Sequence, residues 1–403
     1  MLAARPSPAV RVHHALADAR ARLAARDAAV LRTQIAVSEI AAPTGDEGER
    51  GAWVARRMAG LGLSALRIDA AGNVIGRRPG LTPGPAVVVC AHLDTVFPRQ
   101  VALQVRRDGP RLAGPGIGDN GRGIAAMLTL AEEIDGVRVR TNAPVDFVAT
   151  TGEEGRGDLR GARALFGEHH ERGGTAAVIA LDGAGDERVV HRGLASRRYR
   201  VTFHGVGGHS WAAYGVVNPV HAAANAVSHV AALAVPREPR TTVTVGRIGG
   251  GISVNAIPED GWFEVDLRSA SAAVLDRYDR ELRVAVRAAE AAENVRRAPG
   301  TPPLTVTIDV IGDRPGGEVP AEHPLVLAAI DATRLIGREA DLATASTDAN
   351  VPISLGIPAV ALGAGGRGGD THTASEWYDN TDGPLGLARA LTVIVTAAGF
   401  APT

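Results

Sequence analysis

The chain has 403 residues, and its 43 basic and 44 acidic groups leave a formal net charge of -1, which excludes attraction to nucleic acid or to an anionic membrane by bulk charge. Hydrophobic residues make up 45% and charged residues 22%, the composition of a globular protein. The length exceeds what one hydrophobic core serves well and predicts two domains.

The opening segment, MLAARPSPAVRVHH, carries arginine and proline but no apolar stretch, so it does not read as a secretory signal. No run approaches the roughly 20 apolar residues that span a bilayer. Residues 10–40 place apolar side chains at helical spacing and predict one or two helices. Short apolar runs follow at 86–90, 145–149, 177–181 and 359–362, alternating with helical stretches that include 123–134 and 161–171. That alternation predicts a parallel sheet covered on both faces. Cys90, the single cysteine, closes the first run; it reads as a buried strand residue rather than a nucleophile. One cysteine excludes an internal disulfide and fits a reducing compartment, so the expected location is the cytoplasm.

Between residues 193 and 313 the rhythm changes. Strand (198–203), helix (218–234), strand (242–246), strand (261–267), helix (272–293) and strand (304–311) follow in the β-α-β-β-α-β order of a ferredoxin-like unit. The α/β pattern resumes afterwards. The predicted organisation is a catalytic domain in two parts, 1–192 and 314–403, with 193–313 inserted as a second domain. The glycine cluster at 363–369 reads as an active-site loop.

Ligands of such a sheet bind beyond the carboxyl ends of its strands. His92 and Asp94 follow the first run, and Asp119 sits in the later loop GIGDNG. The second run ends in TTGEE, with Glu153 and Glu154; the third leads to Asp182; the last leads through the glycine loop to His372. His92, Asp119, Glu154, Asp182 and His372 are donors of the type zinc accepts. Two imidazoles and three carboxylates suit a pair of ions with one carboxylate shared, and paired ions generate hydroxide and polarise a carbonyl. Each residue alone also has a plainer reading as a loop hydrogen-bonder or helix cap, and Glu153–Glu154 as a solvated turn. Their convergence at strand ends is what those readings leave unexplained.

Taken in order, APTGDEGE, HLDT, GIGDNG, TTGEEG, ALDG, GGHSW, GGGISVNAIPE and DTHTASEWYD resemble the motifs of the dizinc metallopeptidase family that contains peptidase T, glutamate carboxypeptidase, aminoacylase and acetylornithine deacetylase. The resemblance covers nearly the whole chain. It implies a zinc-peptidase-like α/β fold, a doubly wound mixed sheet with an inserted ferredoxin-like α+β dimerisation (lid) domain. It further implies that His92, Glu154, Asp182 and His372 are terminal ligands of two Zn2+ ions and that Asp119 bridges them; Co2+ or Mn2+ can fill similar sites. Asp94 would orient His92, Glu153 would be the general base, and the Asp119–Asn120 peptide would be cis. His209 would reach the active site of a homodimer partner and steady the oxyanion. Asn255 and Arg268 would contact a substrate carboxylate, although a surface ion pair also accounts for Arg268. Gly249 to Gly251 would let the backbone turn tightly near the hinge or substrate. The chain departs from the family in having Gly121-Arg122-Gly123 where many members place a lysine, a position outside the ligand set.

The expected activity is hydrolysis of amide bonds in short peptides, since GEEGRGDLRGARALF and the surroundings of GGHSW look closest to peptidase T-like members. Removal of an acyl group from an N-acyl amino acid is the alternative. A non-catalytic metal-binding scaffold is the third reading, which the presence of Glu153 and all five donors opposes.

Overall fold

The computed structural model describes residues 6–171 and 174–402, without the side chains of residues 168–171. Part of the opening segment read above as lacking a signal lies outside the described residues. The chain forms two compact units: one of residues 1–193 and 318–403, the other of residues 194–317.

The first unit is built on a nine-stranded mixed sheet. Its order is Ser64–Ile68, Val74–Arg78, Val145–Thr150, Ala86–His92, Thr175–Leu181, Ala359–Leu362, Arg188–Gly193 and Gly317–Glu318, with Asp341–Ala345 paired beside Arg188–Gly193. The four central strands, Val145–Thr150, Ala86–His92, Thr175–Leu181 and Ala359–Leu362, run parallel. Every residue of Ala86–His92 and of Val145–Thr150 is buried. A strand buried at every position has both faces covered, which is why these segments read as continuous apolar runs rather than alternating ones. Their parallel direction brings His92, Thr150, Leu181 and Leu362, the last residues of the four strands, to one rim of the sheet.

The outer strands Ser64–Ile68, Val74–Arg78, Arg188–Gly193 and Asp341–Ala345 escape the sequence reading. Ser64–Ile68 is exposed at all five positions, so no hydrophobic period marks it. Residues 10–40 form three helices, Pro8–Ala15, Ala17–Ala25 and Asp27–Ser38, instead of one or two. The breaks fall on Leu16 (φ -92°, ψ 17°) and Arg26 (φ -96°, ψ 6°), single residues that leave helical geometry without glycine or proline. Apolar spacing continues across such breaks, so periodicity cannot register them. Cys90 is fully buried in its strand, and burial pushes its thiol well up, away from the thiolate a nucleophile needs. Among the described residues no helix is long and apolar enough to cross a membrane.

The second unit carries a four-stranded antiparallel sheet in the order Thr241–Gly250, Asp260–Ser269, Ala195–His204 and Thr305–Arg314, with helices Pro219–Ala231 and Ala272–Arg296 packed on it. In Asp260–Ser269 burial alternates strictly: Phe263, Val265 and Leu267 enter the core, while Trp262, Glu264, Asp266 and Arg268 point to the other face. That period of two is the signature of a sheet covered on one side only.

A buried arginine fixes one rim of the first unit. Arg50, on helix Gly48–Gly60, is wholly buried and donates to the carbonyls of Ile40 (2.6 Å), Leu93 (2.7 Å) and Ser38 (3.4 Å). One guanidinium thus ties the end of a helix to the residue that follows His92. Burial lowers its pKa to about 10, with Asp94 opposing the shift. Replacing Arg50 with Met leaves those buried carbonyls without donors and is expected to cost on the order of 3 kcal/mol of stability. Arg56→Met, at an exposed position of the same helix, is expected to cost less than about 0.5 kcal/mol. Thermal unfolding of the two variants checks the contrast.

Candidate metal centre

The rim of the parallel strands gathers the five donors. His92 Nε2 lies 2.9 Å from Asp119 Oδ1 and 3.8 Å from Asp182 Oδ1. His372 Nε2 lies 3.2 Å from Asp119 Oδ2 and 2.8 Å from Glu154 Oε1. Asp119 therefore offers one oxygen to each imidazole. The donor atoms fall into overlapping groups, each within 4.8 Å: His92 with Asp119 and Asp182, Asp119 with Glu154 and His372, and His92 with Glu153 and Glu154. His92, Glu153 and Glu154 are buried, whereas the side chain of His372 is 51% exposed and its backbone takes φ 67° in the left-handed region.

Local chemistry explains how the loops hold these side chains. The Asp119–Asn120 peptide is cis. The buried Asn120 side chain caps helix Gly121–Glu133 by accepting from Gly123 N (3.1 Å), accepts from Gly183 N (3.1 Å), and donates to Leu181 O (2.9 Å). It thereby clamps the Asp119 loop to the Asp182 loop. A side chain at residue 123 would place its Cβ 2.1 Å from Asn120 Oδ1, so this clamp requires Gly123. Asp94 lies beneath His92, but the nearest acceptor of His92 Nδ1 is the Asp94 carbonyl at 3.0 Å, with the carboxylate at 3.6 Å. The carboxylate instead accepts from Glu153 N and Glu154 N (2.9 Å each) and from Thr44 Oγ1 (2.8 Å). Burial opposes its ionisation, but His92 and the two amides outweigh it and hold the carboxyl at about 2.

Three further carboxylates were not singled out in the sequence. Glu376, on the loop after His372, is buried and accepts from Gly116 N, Gly118 N and Asp119 N, each at 2.8 Å. Glu47 accepts from Gly152 N (3.1 Å) and pairs with Arg160, steadying the approach to Glu153. Asp348, fully buried, accepts from Thr150 Oγ1 at 2.5 Å, and burial pushes it up to about 6. Glu47 and Glu376 stand inside the motifs APTGDEGE and DTHTASEWYD, which is the one sequence signal that marked their neighbourhood.

The donor set fits metal ions by its own electrostatics. Hydrogen bonding to Asp119 is the main cause of a His372 pKa raised to about 9, and burial with the Asp119 charge raises Glu154. Converging carboxylates draw protons onto their neighbours, the response expected where cationic charge is wanted. Oxygen and nitrogen donors of this kind suit zinc.

Of the remaining expected residues, His209 and Asn255 come together on the second unit. Gly208–His209 pairs with Ala256–Ile257, Ser210 N donates to Asn255 O (3.0 Å), and both residues line one hollow of about 760 Å3. Gly250 (φ 144°) and Gly251 (φ 75°) line it too. Arg268 does not line that hollow; its Nε donates to Asp266 at 2.8 Å.

Residues 73–222 match peptidase family M28, and residues 189–294 match the peptidase dimerisation domain; together the matches run through more than half of the chain. An N-carbamoyl-L-amino acid amidohydrolase from Geobacillus stearothermophilus is 29% identical over 303 residues, 63% of this chain and 69% of the relative. A probable carboxypeptidase from Neosartorya fischeri is 26% identical over 210 residues, but this chain spans only 46% of its length. The crystal structure of aminopeptidase PepT from Bacillus cereus shares the fold at a TM-score of 0.73 and 21% identity, covering 92% of this chain and 99% of that one. Similarity to peptidases and amidohydrolases indicates a hydrolase that acts on amide bonds.

Of the three carboxylates not marked by the sequence, Glu376 has the most direct hold on the centre. Glu376→Gln keeps the shape but leaves a single acceptor oxygen for three amides. Loosening the Asp119 loop in this way is expected to weaken metal binding by about 10- to 100-fold, the usual consequence of losing a group that supports a ligand. Competition against a chromogenic chelator measures it.

Proposed function

We propose that this protein is a two-zinc peptidase that hydrolyses short peptides. The observation that carries the reading is Asp119, whose two oxygens face different imidazoles at 2.9 and 3.2 Å, as a bridging ligand requires. His92 and Asp182 would complete one site, Glu154 and His372 the other; Co2+ or Mn2+ would be accepted by the same donors. Bound metals supply Lewis acidity and an acidified water. Glu153, buried and with its backbone amide fixed by Asp94, takes the proton of the attacking water and returns it to the leaving nitrogen. Asp94 supports His92 and the Glu153–Glu154 backbone together.

His209 supplies the oxyanion donor from a partner chain. Its Nδ1 accepts from Trp211 N (3.2 Å) and Ala212 N (3.4 Å), so the ring proton sits on Nε2, where a donor is needed. Asn255 and Arg268 bind a substrate carboxylate, Arg268 with the N–H groups its bond to Asp266 leaves over. Assembly as a homodimer through the inserted unit is supported by the dimerisation-domain match. A cytoplasmic location is supported by the single, buried cysteine. A second reading, hydrolysis of N-acyl or N-carbamoyl amino acids by the same groups, is favoured by the 29% identity to the amidohydrolase of Geobacillus stearothermophilus.

Mass spectrometry of free di- and tripeptides, their N-acetylated forms and N-acetyl and N-carbamoyl amino acids, with and without a chelator, separates the two. Chelator-sensitive cleavage of free peptides is the expected result; preference for the acylated compounds makes the protein a deacylase. Glu153→Gln should lower turnover by roughly 100-fold or more with metal still bound. Unchanged turnover would falsify the assigned base. Mixing His209→Ala chains with Glu153→Gln chains should restore part of the activity through hybrid dimers, and no recovery despite confirmed exchange argues against catalysis in trans.

A further inference from the structure

Beside Asp119 and Asp182 the first unit opens a hollow of about 680 Å3 that no step above uses. Two glycine-rich loops form its wall and are laced together: Ala364 N donates to Gly183 O and Gly365 N to Gly185 O, both at 2.9 Å. Gly185 (φ 109°) and Gly366 (φ 71°) hold backbone conformations that side chains rarely tolerate; a Cβ at residue 185 would meet open space, and one at residue 366 would strike the Asp379 carbonyl and the Tyr378 ring packed behind the wall. Trp377 closes another side. The Arg111 guanidinium lies 4.2 Å from its ring centroid, and a Cβ at residue 369 would come within 2.7 Å of the ring, which leaves the indole little room to move.

The charges on this wall do not balance. Its acids are nearly all engaged: Asp119 and Asp182 face the metal centre, Glu376 holds three amides, and Asp186 pairs with Arg338 at 3.3 Å, which leaves the exposed Glu187. Its two arginines, Arg188 and Arg367, are exposed and form no ion pair among the described residues. Their register partners across the strands are Asp341 and Asp379; the Asp379 carboxylate accepts from Thr381 N at 2.8 Å, which with the charges of Arg111 and Arg367 holds it low, but it forms no ion pair with Arg367. Two guanidinium forks on the wall of a hollow beside Asp119 and Asp182 thus have no carboxylate in ion-pair contact among the described residues. A carboxylate matches such a fork bidentately; a neutral amide of the same shape does not.

We infer that this hollow recognises an acidic side chain of the substrate next to the scissile amide, held by Arg188 and Arg367. The inference rests on the amide-hydrolase reading and narrows its substrate class to compounds carrying aspartate or glutamate. The direct test is calorimetric titration of the zinc-loaded protein with N-acetylglutamate and N-acetylglutamine, which share an α-carboxylate and differ only in the charge of the side chain. N-Acetylglutamate should bind about tenfold more tightly or better. In the Arg188→Ala, Arg367→Ala double variant that advantage should vanish while N-acetylglutamine binding is unchanged; both positions are exposed, so folding is not at stake. No advantage in the native protein, absence of binding by either compound included, overturns the inference, as does an advantage that survives the double substitution. Turnover of Glu-Ala against Gln-Ala, and of Ala-Glu against Ala-Gln, tells on which side of the bond the hollow reads. Chelator-sensitive cleavage of the glutamine peptides with no preference for glutamate sinks this inference and leaves the proposed function standing. Arginine-dependent glutamate binding without any chelator-sensitive cleavage does the reverse.

Discussion

The crowding of negative charge at one strand rim is the constraint on which the rest of the first unit depends. Asp119, Glu153, Glu154 and Asp182 bring carboxylate oxygens into groups spanning no more than 4.8 Å with His92 and His372. Two such charges about 4 Å apart repel by about 4 kcal/mol at an effective dielectric of about 20. The fold opposes that repulsion with backbone amides as well as with side chains. Asp94 presents its oxygens to the amides of Glu153 and Glu154, and Glu376 receives the amides of Gly116, Gly118 and Asp119. These bonds fix the segments that carry the ligands while keeping the ligands' own lone pairs directed inward. The raised pKa values of His372 and Glu154 show the same pressure from the other side, since each drawn-in proton does part of what a cation does.

Arginine is the chain's only long basic side chain, and among the described residues three arginines are fully buried: Arg50, Arg122 and Arg389. Each donates to backbone carbonyls. Arg122 donates to Ala364 O (2.8 Å) and Gly383 O (2.9 Å) and lies over the Tyr378 ring. It therefore joins the helix that starts after Asp119 to the glycine loop that leads to His372. A lysine ammonium is a point charge and could not span two carbonyls from different segments in the plane of one fork.

What the sequence discloses and what it hides divide along the kind of partner involved. His92, Asp119, Glu154, Asp182 and His372 were legible because continuous apolar runs mark buried parallel strands, and their carboxyl ends mark where ligands gather. Glu376 and Arg50 were not, because their partners are backbone amides and carbonyls, which every residue carries and no motif displays; Glu47 shares that limit through Gly152 N and adds a pair with Arg160, distant in sequence. Arg268 illustrates the same limit for side chains: Asp266 stands two residues earlier on the same strand face, so the ion pair follows once the strand is known. The breaks at Leu16 and Arg26 and the fully exposed strand Ser64–Ile68 leave hydrophobic periodicity unchanged or absent, and periodicity was the only instrument available for them.

The placement of His209 on the second unit follows from the same electrostatics. An oxyanion donor must offer a proton to the substrate and not to a neighbour. A histidine set among the carboxylates of the first unit loses that freedom: His372 is bound to Asp119 and Glu154 and pulled toward protonation by them. His209 sits on a short two-stranded ribbon where its Nδ1 accepts from the amides of Trp211 and Ala212, which leaves Nε2 as the ring's donor. On the proposed reading the base and the oxyanion donor need opposite surroundings, and the residues proposed for them stand in different compact units.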